Sequence, residues 1–478
     1  MSTSVWRRLE LALAMVALCV FIGYLVNHHN INTTTWTWEQ EYLFPPGTPA
    51  GNDFRNGLYR PAQALLHGQN PYTVTWFPPF TVLLAMPFQI LDENRAYLAQ
   101  VGVLIVMNIA TLGIALKVSR KAFAPKAGSE KAIAGLLVFP LFCAMALWQE
   151  TSYGFIYSIE RGNFDIYTAF AAVMGLWLIV ARPRSIWLQV LCFSIAAHLK
   201  IYPAILFVLV VWKHGWKSLL PLAVVNLALL MSLGPANVAP FLGNVRGAVE
   251  GPKIFAGNHS AAVFAIIVNA ARAARGLSPV PALVFYALST AAWALGCLYL
   301  VRRGYSDAGA TWLFALSVPM MNVIPPSSND YKLVLLGTPL AVALFFVVQE
   351  FALTGRWIRL VQTLILGSLA AILAVTFVRL PIDLGTRYPL ILTLQYVLVW
   401  VLVTPREQRR AKVTVSDASS AGADAQEQPR PVNGSALLTD TRSQPIPRRP
   451  MVVASFVQTA CLRLERSALV GRFRGAGA

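Results

Sequence analysis

Charge is scarce in this chain, and acidic charge scarcest: Asp, Glu, Lys and Arg make up 13% of 478 residues, with 39 basic side chains against 21 acidic ones. Soluble domains carry about a quarter charged residues, so an ordinary soluble surface over a chain of this size is excluded. Cysteine is also rare, at five residues. Cys19, Cys143, Cys192 and Cys297 fall inside apolar runs, where they pack as small hydrophobes, and there is neither a disulfide framework nor a CxxC pair. The P-loop, the GxGxxG dinucleotide turn and the HExxH zinc pair are all missing. His28 and His29 are adjacent rather than spaced along one helix face, which reads as a wet interfacial pair. No cofactor and no metal ion is expected, and no repeat of solenoid period is visible.

Apolar residues fill the space that charge leaves. They make up 56% of the chain, and the mean hydropathy is +0.57. A hydrocarbon layer about 30 Å thick takes about 20 apolar residues per helix. Segments near that length lie at 9–27, 97–118, 132–148, 163–181, 186–212, 219–233, 282–301, 310–324, 333–348, 358–377 and 390–403. With the short run 79–91, the fold class read from them is an all-α polytopic membrane protein, a bundle of roughly 11–13 transmembrane helices. The basic excess gives a net charge of +18, which in a soluble chain would point to nucleic acid. Here the basic residues flank apolar runs or lie in the tail, a pattern explained by topology and lipid headgroups. Membrane lipids are therefore expected partners and nucleic acid is not.

Arg7 and Arg8 precede the first run, and no small-residue cleavage site follows it, so a retained anchor with a cytoplasmic N-terminus is expected. Segment 28–77 is then the first external loop. Arg302, Arg303, Arg356, Arg359 and the tail from Arg406 mark cytoplasmic flanks, which places 235–260, 325–330 and 379–387 outside. Two schemes stay open between 78 and 217. Either 79–91 crosses the membrane, or it is re-entrant and the long 186–212 run breaks into a hairpin at His198-Leu-Lys-Ile-Tyr-Pro203.

Ionisable residues at the edges of apolar runs are costly and usually face a cavity or a partner. Four clusters qualify. In the first, Asp53 precedes Phe54, Leu58, Ala62 and Leu65, which recur at helical spacing, with Arg55, Asn56, Arg60 and Gln63 on the other face. This reads as an amphipathic helix on a membrane surface, capped by Asn52 or Asp53, kinked or restarted at Pro61, and ended at Gly68 and Pro71. The second cluster is Glu160-Arg161-Gly-Asn163-Phe-Asp165. His198 with Lys200 is the third, and Asn329-Asp330-Tyr-Lys332 the fourth. Each has a plainer reading: Asp53 as a helix cap, Glu160 with Arg161 as an interfacial ion pair, Lys200 as a snorkelling side chain, Asp330 as a partner for Lys332. All four can face the same outer side, where cations and a carboxylate near an apolar groove suit a lipid-phosphate substrate.

The run Asp53, Tyr59, Ala62, Leu65, Gly68, Pro71-Tyr72 and Phe77-Pro-Pro-Phe80 resembles the first external loop of glycosyltransferase family 87. Gly162-Asn163, Lys200 with Pro203 and Trp216, and Gly257-Asn258-His259-Ser260 resemble further family stretches in order. The resemblance spans about 7–404. It departs at Ser327-Ser-Asn-Asp-Tyr-Lys332, where many family members carry a histidine pair, and at 162–163, which lacks the family's Gln.

The resemblance implies a GT-C-type membrane glycosyltransferase that moves a hexose, mannose above all, from a polyprenyl-phosphate sugar donor to a lipid or glycan acceptor. Transfer would take place on the non-cytoplasmic face of the cell membrane, with inversion. Asp53 would be the catalytic base. Arg55, Arg60, Tyr72, Arg161, Asn163, Lys200, Asn258, His259, Asp330 and Lys332 would contact substrate or phosphate. Residues 1–404 would form the transferase domain, and 405–478 a cytoplasmic, mostly disordered basic tail. Two other classes stay open: a lipid or sugar transporter or flippase, although related halves are not seen, and a non-catalytic envelope-assembly protein.

Overall fold

The computed structural model describes residues 51–123 except 74 and 76, 142–150, 152–250, 280–323, 330–354 and positions 394, 395, 398, 399 and 402. All of them belong to the first of the two units into which the chain divides, Met1–Pro405 and Arg406–Ala478. The spans expected at 9–27, 358–377 and most of 390–403, together with Asn258, His259 and the tail, lie outside the described residues.

Among the described residues every regular element is helical. Glu93–Phe123 and Tyr202–Leu230 are long and apolar enough to cross a membrane, while Pro79–Ile90, Asp165–Ala181, Ile186–Leu199 and Lys332–Val348 are shorter apolar helices. Glu93–Phe123 packs on Asp165–Ala181 and on Gly337–Thr354, and Asp165–Ala181 packs in turn on Ile186–Leu199. One apolar core containing Leu104, Leu176, Phe193, Phe314 and Leu316 joins them.

Helix length and chain direction bear on the two open schemes for 78–217. Pro79–Ile90 consists of a six-residue helix, Pro79–Leu84, and a tighter turn, Met86–Ile90. Twelve helical residues rise about 18 Å, well short of the hydrocarbon layer of about 30 Å. At its start, Thr81 Oγ1 donates to the carbonyl of His198 at 2.8 Å. There Ile186–Leu199 ends on Lys200 in an extended conformation (φ −148, ψ 136), followed by a turn at Tyr202–Leu206. Phe207–His214 runs back alongside the preceding helix, so that His214 Nε2 lies 2.7 Å from Gln189 Oε1. The 186–212 run is therefore a hairpin broken where the re-entrant scheme places the break. The second long apolar run is likewise bent: after Gly215 (φ 62) the chain returns, and Asn226 Nδ2 donates to Ser194 Oγ at 3.0 Å.

These reversals sort the charges. At one end of the bundle lie Lys121, 5.9 Å from the Trp177 ring, Lys213, 5.5 Å from the Tyr305 ring, and Arg303, 4.6 Å from the Tyr299 ring. Exposed Arg182 and Arg184 occupy the turn between Asp165–Ala181 and Ile186–Leu199 at the same end. Lys213 also donates to the carbonyl of Ile179 at the C-terminus of its helix, where the helix dipole favours a cation. The opposite end holds Asp53, Arg161, Asp165 and Lys200.

Candidate functional site

The helix carrying Asp53 is assembled from three pieces: Asn52–Phe54, a wider π turn Arg55–Tyr59, and Arg60–Leu66. Proline explains the π turn. Pro61 has no N–H to give to the carbonyl of Gly57 four residues back, and the chain widens so that Arg60 N–H bonds to the Arg55 carbonyl instead. The carbonyl of Gly57 is taken by Thr75 Oγ1 at 3.1 Å, so no buried acceptor is stranded.

Phe54, Leu58 and Ala62 are buried with Val82, Ala85, Ala96 and Phe164, and Leu65 packs at their edge. The apolar face predicted from the spacing is real, and it rests on protein rather than on lipid. Gly68 (φ 69) ends the helix, its N–H reaching the carbonyl of Leu65 at 3.0 Å.

The N-terminus departs from the expectation. Neither Asn52 nor Asp53 caps it; the cap position is Gly51, left-handed at φ 77, with no side-chain bond. Gly51 N–H instead donates to the carbonyl of Glu160 at 2.6 Å, and Tyr97 Oη donates to the carbonyl of Ile159 at 3.0 Å. The Asp53 helix thus starts on the C-terminus of Tyr153–Arg161, which ends at Gly162 in its own left-handed turn (φ 65). Only glycine allows so close an approach: a Cβ on Gly51 would lie 2.5 Å from the Tyr97 ring, and one on Gly162 2.6 Å from Phe54 Cβ.

A measurable contrast follows. Gly68→Ala, with open space around a left-handed residue, should lose roughly 1–2 kcal/mol of stability. Gly162→Ala should lose that and about 1–3 kcal/mol more for overpacking. Equal shifts in the two denaturation midpoints would mean that the Phe54 contact relaxes cheaply.

The junction freezes Asp53. Arg161 donates to Asp53 Oδ1 at 2.5 Å and Asn163 Nδ2 donates to Oδ2 at 2.9 Å. The amide of Asn163 has only one sensible orientation, since its Oδ1 accepts the Phe164 N–H at 2.7 Å. Asn163 is fully buried, while the Asp53 side chain keeps 16% exposure and Arg161 23%. The aspartate is therefore held in place yet still open to a ligand.

Beneath this pair lies a second layer. Asp165 opens the helix Asp165–Ala181, is completely buried, and has its nearest cation, Lys200 Nζ, 3.9 Å from Oδ2. A carboxylate in the first turn of a helix is favoured by the N-terminal dipole. Neither of its oxygens accepts a hydrogen bond. Lys200 Nζ sits 5.0 Å from the Phe77 ring and 5.9 Å from that of Phe164. Lys332, only 4% exposed, places its Nζ 4.7 Å from the Tyr202 ring. Aromatic faces of this kind stabilise cations that water reaches poorly.

Other expected site residues are engaged elsewhere. Arg55 donates to Asn94 Oδ1 at 2.8 Å and lies 3.7 Å from Glu93, and Arg60 is 3.3 Å from the same carboxylate. These two cations bind the Asp53 helix to the head of Glu93–Phe123. Tyr72 packs its ring 5.7 Å from Phe241, and Asn244 Nδ2 donates to the carbonyls of Tyr72 and Thr75, the latter at 2.8 Å. Burial pushes the Tyr72 phenol well above its ordinary pKa. Asp330 begins the turn Asp330–Leu336, while Asn258 and His259 lie outside the described residues.

The structure thus joins Asp53 to Arg161 and Asn163, and pairs Lys200 with a residue absent from the expected set, Asp165. Its signal in the sequence was a carboxylate heading an apolar run. Phe77, Phe164 and Tyr202 gave no comparable signal, because an aromatic ring beside a lysine is visible only once the chain is folded. Among the described residues no group of three His, Cys, Asp or Glu side chains is arranged to hold a metal ion.

No curated protein matches the chain. Residues 75–326, rather more than half of it, match glycosyltransferase family 87. That stretch contains Arg161, Asn163, Asp165 and Lys200, and begins after Asp53, which reaches it through the two hydrogen bonds to Arg161 and Asn163.

Proposed function

Because the chain belongs to glycosyltransferase family 87, and is a membrane glycosyltransferase, we propose that it moves a hexose, with mannose the first to test, from a polyprenyl-phosphate donor to a hydroxyl of a lipid or glycan acceptor. The observation that carries this reading is the pairing of a fixed, accessible carboxylate at Asp53 with a buried cation, Lys200, which lies 3.9 Å from the buried Asp165. A carboxylate supplies the base that an alcohol nucleophile requires, and cations supply the counter-charge that a leaving phosphate requires.

In the reaction the acceptor oxygen attacks the anomeric carbon from the face opposite the phosphate, and the carbon–oxygen bond to phosphate breaks. The bonding electrons leave with the phosphate oxygen, whose new charge faces Lys200 and Lys332. The hydroxyl proton passes to Asp53, where each oxygen keeps a lone pair beyond those used by Arg161 and Asn163. Attack opposite the leaving group inverts the anomeric centre. The prenyl chain would lie along the apolar helices in lipid.

Protein purified into lipid should transfer label from polyprenyl-phosphate mannose to a component of a crude lipid and glycan extract. Failure with mannose and activity with another prenyl-phosphate hexose would correct the sugar, and failure with every prenyl-phosphate sugar would overturn the donor class.

Sidedness belongs to the same reading. The end of the bundle bearing Lys121, Arg182, Arg184, Lys213 and Arg303 would be cytoplasmic by the bias of basic residues toward that side, and Asp53 would face outward. In intact cells a cysteine at position 56, on the exposed face of the Asp53 helix, should react with an impermeant thiol reagent. A cysteine replacing Arg303 should react only after permeabilisation. The reverse pattern would place transfer on the cytoplasmic side.

A further inference from the structure

Phe77 has no part in the mechanism above, yet its ring stands between the Asp53 helix and Lys200. On one side it rests on the backbone of the π turn, where a Cβ on Gly57 would lie 2.4 Å from Phe77 Cε2. On the other it meets the Phe164 ring edge-on, with centroids 5.0 Å apart at 85°, and lies 5.0 Å from Lys200 Nζ. Its backbone is fixed as well. Phe77 N–H donates to Thr75 Oγ1 at 3.2 Å, that hydroxyl donates to the Gly57 carbonyl at 3.1 Å, and the Thr75 carbonyl accepts from Asn244 Nδ2 at 2.8 Å. The Gly57 carbonyl is open to Thr75 because Pro61 has no N–H to give it. Lys200 itself stands 3.9 Å from Asp165 Oδ2, beyond hydrogen-bond length, so that carboxylate attracts the ammonium without aiming it. A ring face attracts a cation within about 6 Å of its centroid, and more strongly where water is excluded; the Lys200 side chain is 12% exposed.

We propose that Phe77 is a positioning residue for transfer: its ring holds the Lys200 ammonium where the leaving phosphate oxygen gains charge, and ties that place to the Asp53 helix through Gly57. This deepens, and rests on, the reading of Lys200 as a cation for the phosphate. Lysine carries its charge on a flexible four-carbon stem, and a cation stabilises developing charge best when it is in place before the reaction begins. The ring supplies that placement. Because the charge grows as the bond to phosphate breaks, the effect falls on kcat more than on donor KM. The plainer role for Phe77 is packing, as an apolar wedge between Gly57 and Phe164.

Phenylalanines bearing one, two and three ring fluorines at position 77 separate the two roles, because each fluorine weakens the negative face of the ring while nearly keeping its shape and with it the fold. With the full chain in lipid and whichever prenyl-phosphate sugar the parent uses, kcat should fall stepwise to about tenfold below the parent at three fluorines, a factor of about 1.4 kcal/mol, with donor KM changing less. In the double variant Lys200→Gln with Asp165→Asn, which removes the cation and leaves no carboxylate stranded, the residual turnover should not depend on the number of fluorines. A kcat constant within about threefold across the series in the parent, under about 0.7 kcal/mol, would make Phe77 a packing residue and overturn the proposal while leaving the donor class standing. A stepwise fall that persists in the double variant would overturn it as well, since the ring would then act on something other than Lys200. If the parent protein turns over no prenyl-phosphate sugar, the donor class falls, and this role of Phe77 with it.

Discussion

Asp53→Asn is expected to fold and to bind donor as the parent protein does, while losing roughly 10²- to 10⁴-fold in transfer rate, the range for removal of a general base. The substitution keeps the size of the side chain and one acceptor oxygen while removing its basicity. The structure sharpens the test, because Asp53 is not the cap of its helix: Gly51 holds that position without any side-chain bond. What remains as a purely structural role is the anchoring of Arg161 and Asn163. A charge-assisted hydrogen bond is worth about 1.5–3 kcal/mol, so that role would appear as a lowered melting temperature with turnover per folded molecule kept. A variant that retains more than about a tenth of parental turnover, a smaller loss than a missing base produces, would make Asp53 an anchor. Glu160 and Asp330 would then be the carboxylates to replace next.

The sequence made local features readable where one periodicity or one residue decides them. Phe54, Leu58 and Ala62 recur at helical spacing and are buried together, Gly68 adopts the left-handed end expected of it, and the break between His198 and Pro203 occurs where Lys200 and Pro203 interrupt an apolar run. Features that depend on a distant partner were not readable. The start of the Asp53 helix is fixed by the carbonyl of Glu160 and the ring of Tyr97, neither of which is near in sequence, so a local rule selected Asn52 or Asp53 as cap. Arg55 and Arg60 looked like free cations because Glu93, their partner, opens a later helix. Hydropathy reads 186–212 and 219–233 as separate runs, and the chain does reverse between them, at Gly215 before Leu219–Leu230. The four charged clusters could be named individually; that Asp165 from the second pairs with Lys200 of the third is a property of the fold.

Lys200→Gln should lower kcat by roughly 10²- to 10³-fold, as removal of one preorganised group that stabilises transition-state charge does, with a smaller change in donor KM. The charge on the phosphate oxygen grows as the glycosidic bond breaks, so a cation placed there acts more strongly on the transition state than on bound donor. A competing explanation is that Lys200 only neutralises Asp165, 3.9 Å away and completely buried. Removing one partner of a buried ion pair costs about 3–5 kcal/mol, so Lys200→Gln alone could lose activity by unfolding. The double variant Lys200→Gln with Asp165→Asn separates the two, because it removes the stranded carboxylate together with its partner. If Lys200 serves only Asp165, the double variant recovers both thermal stability and turnover. If Lys200 holds the leaving phosphate, stability returns while kcat stays about 10²-fold or more below the parent, because one of the two cations that face the departing oxygen is gone.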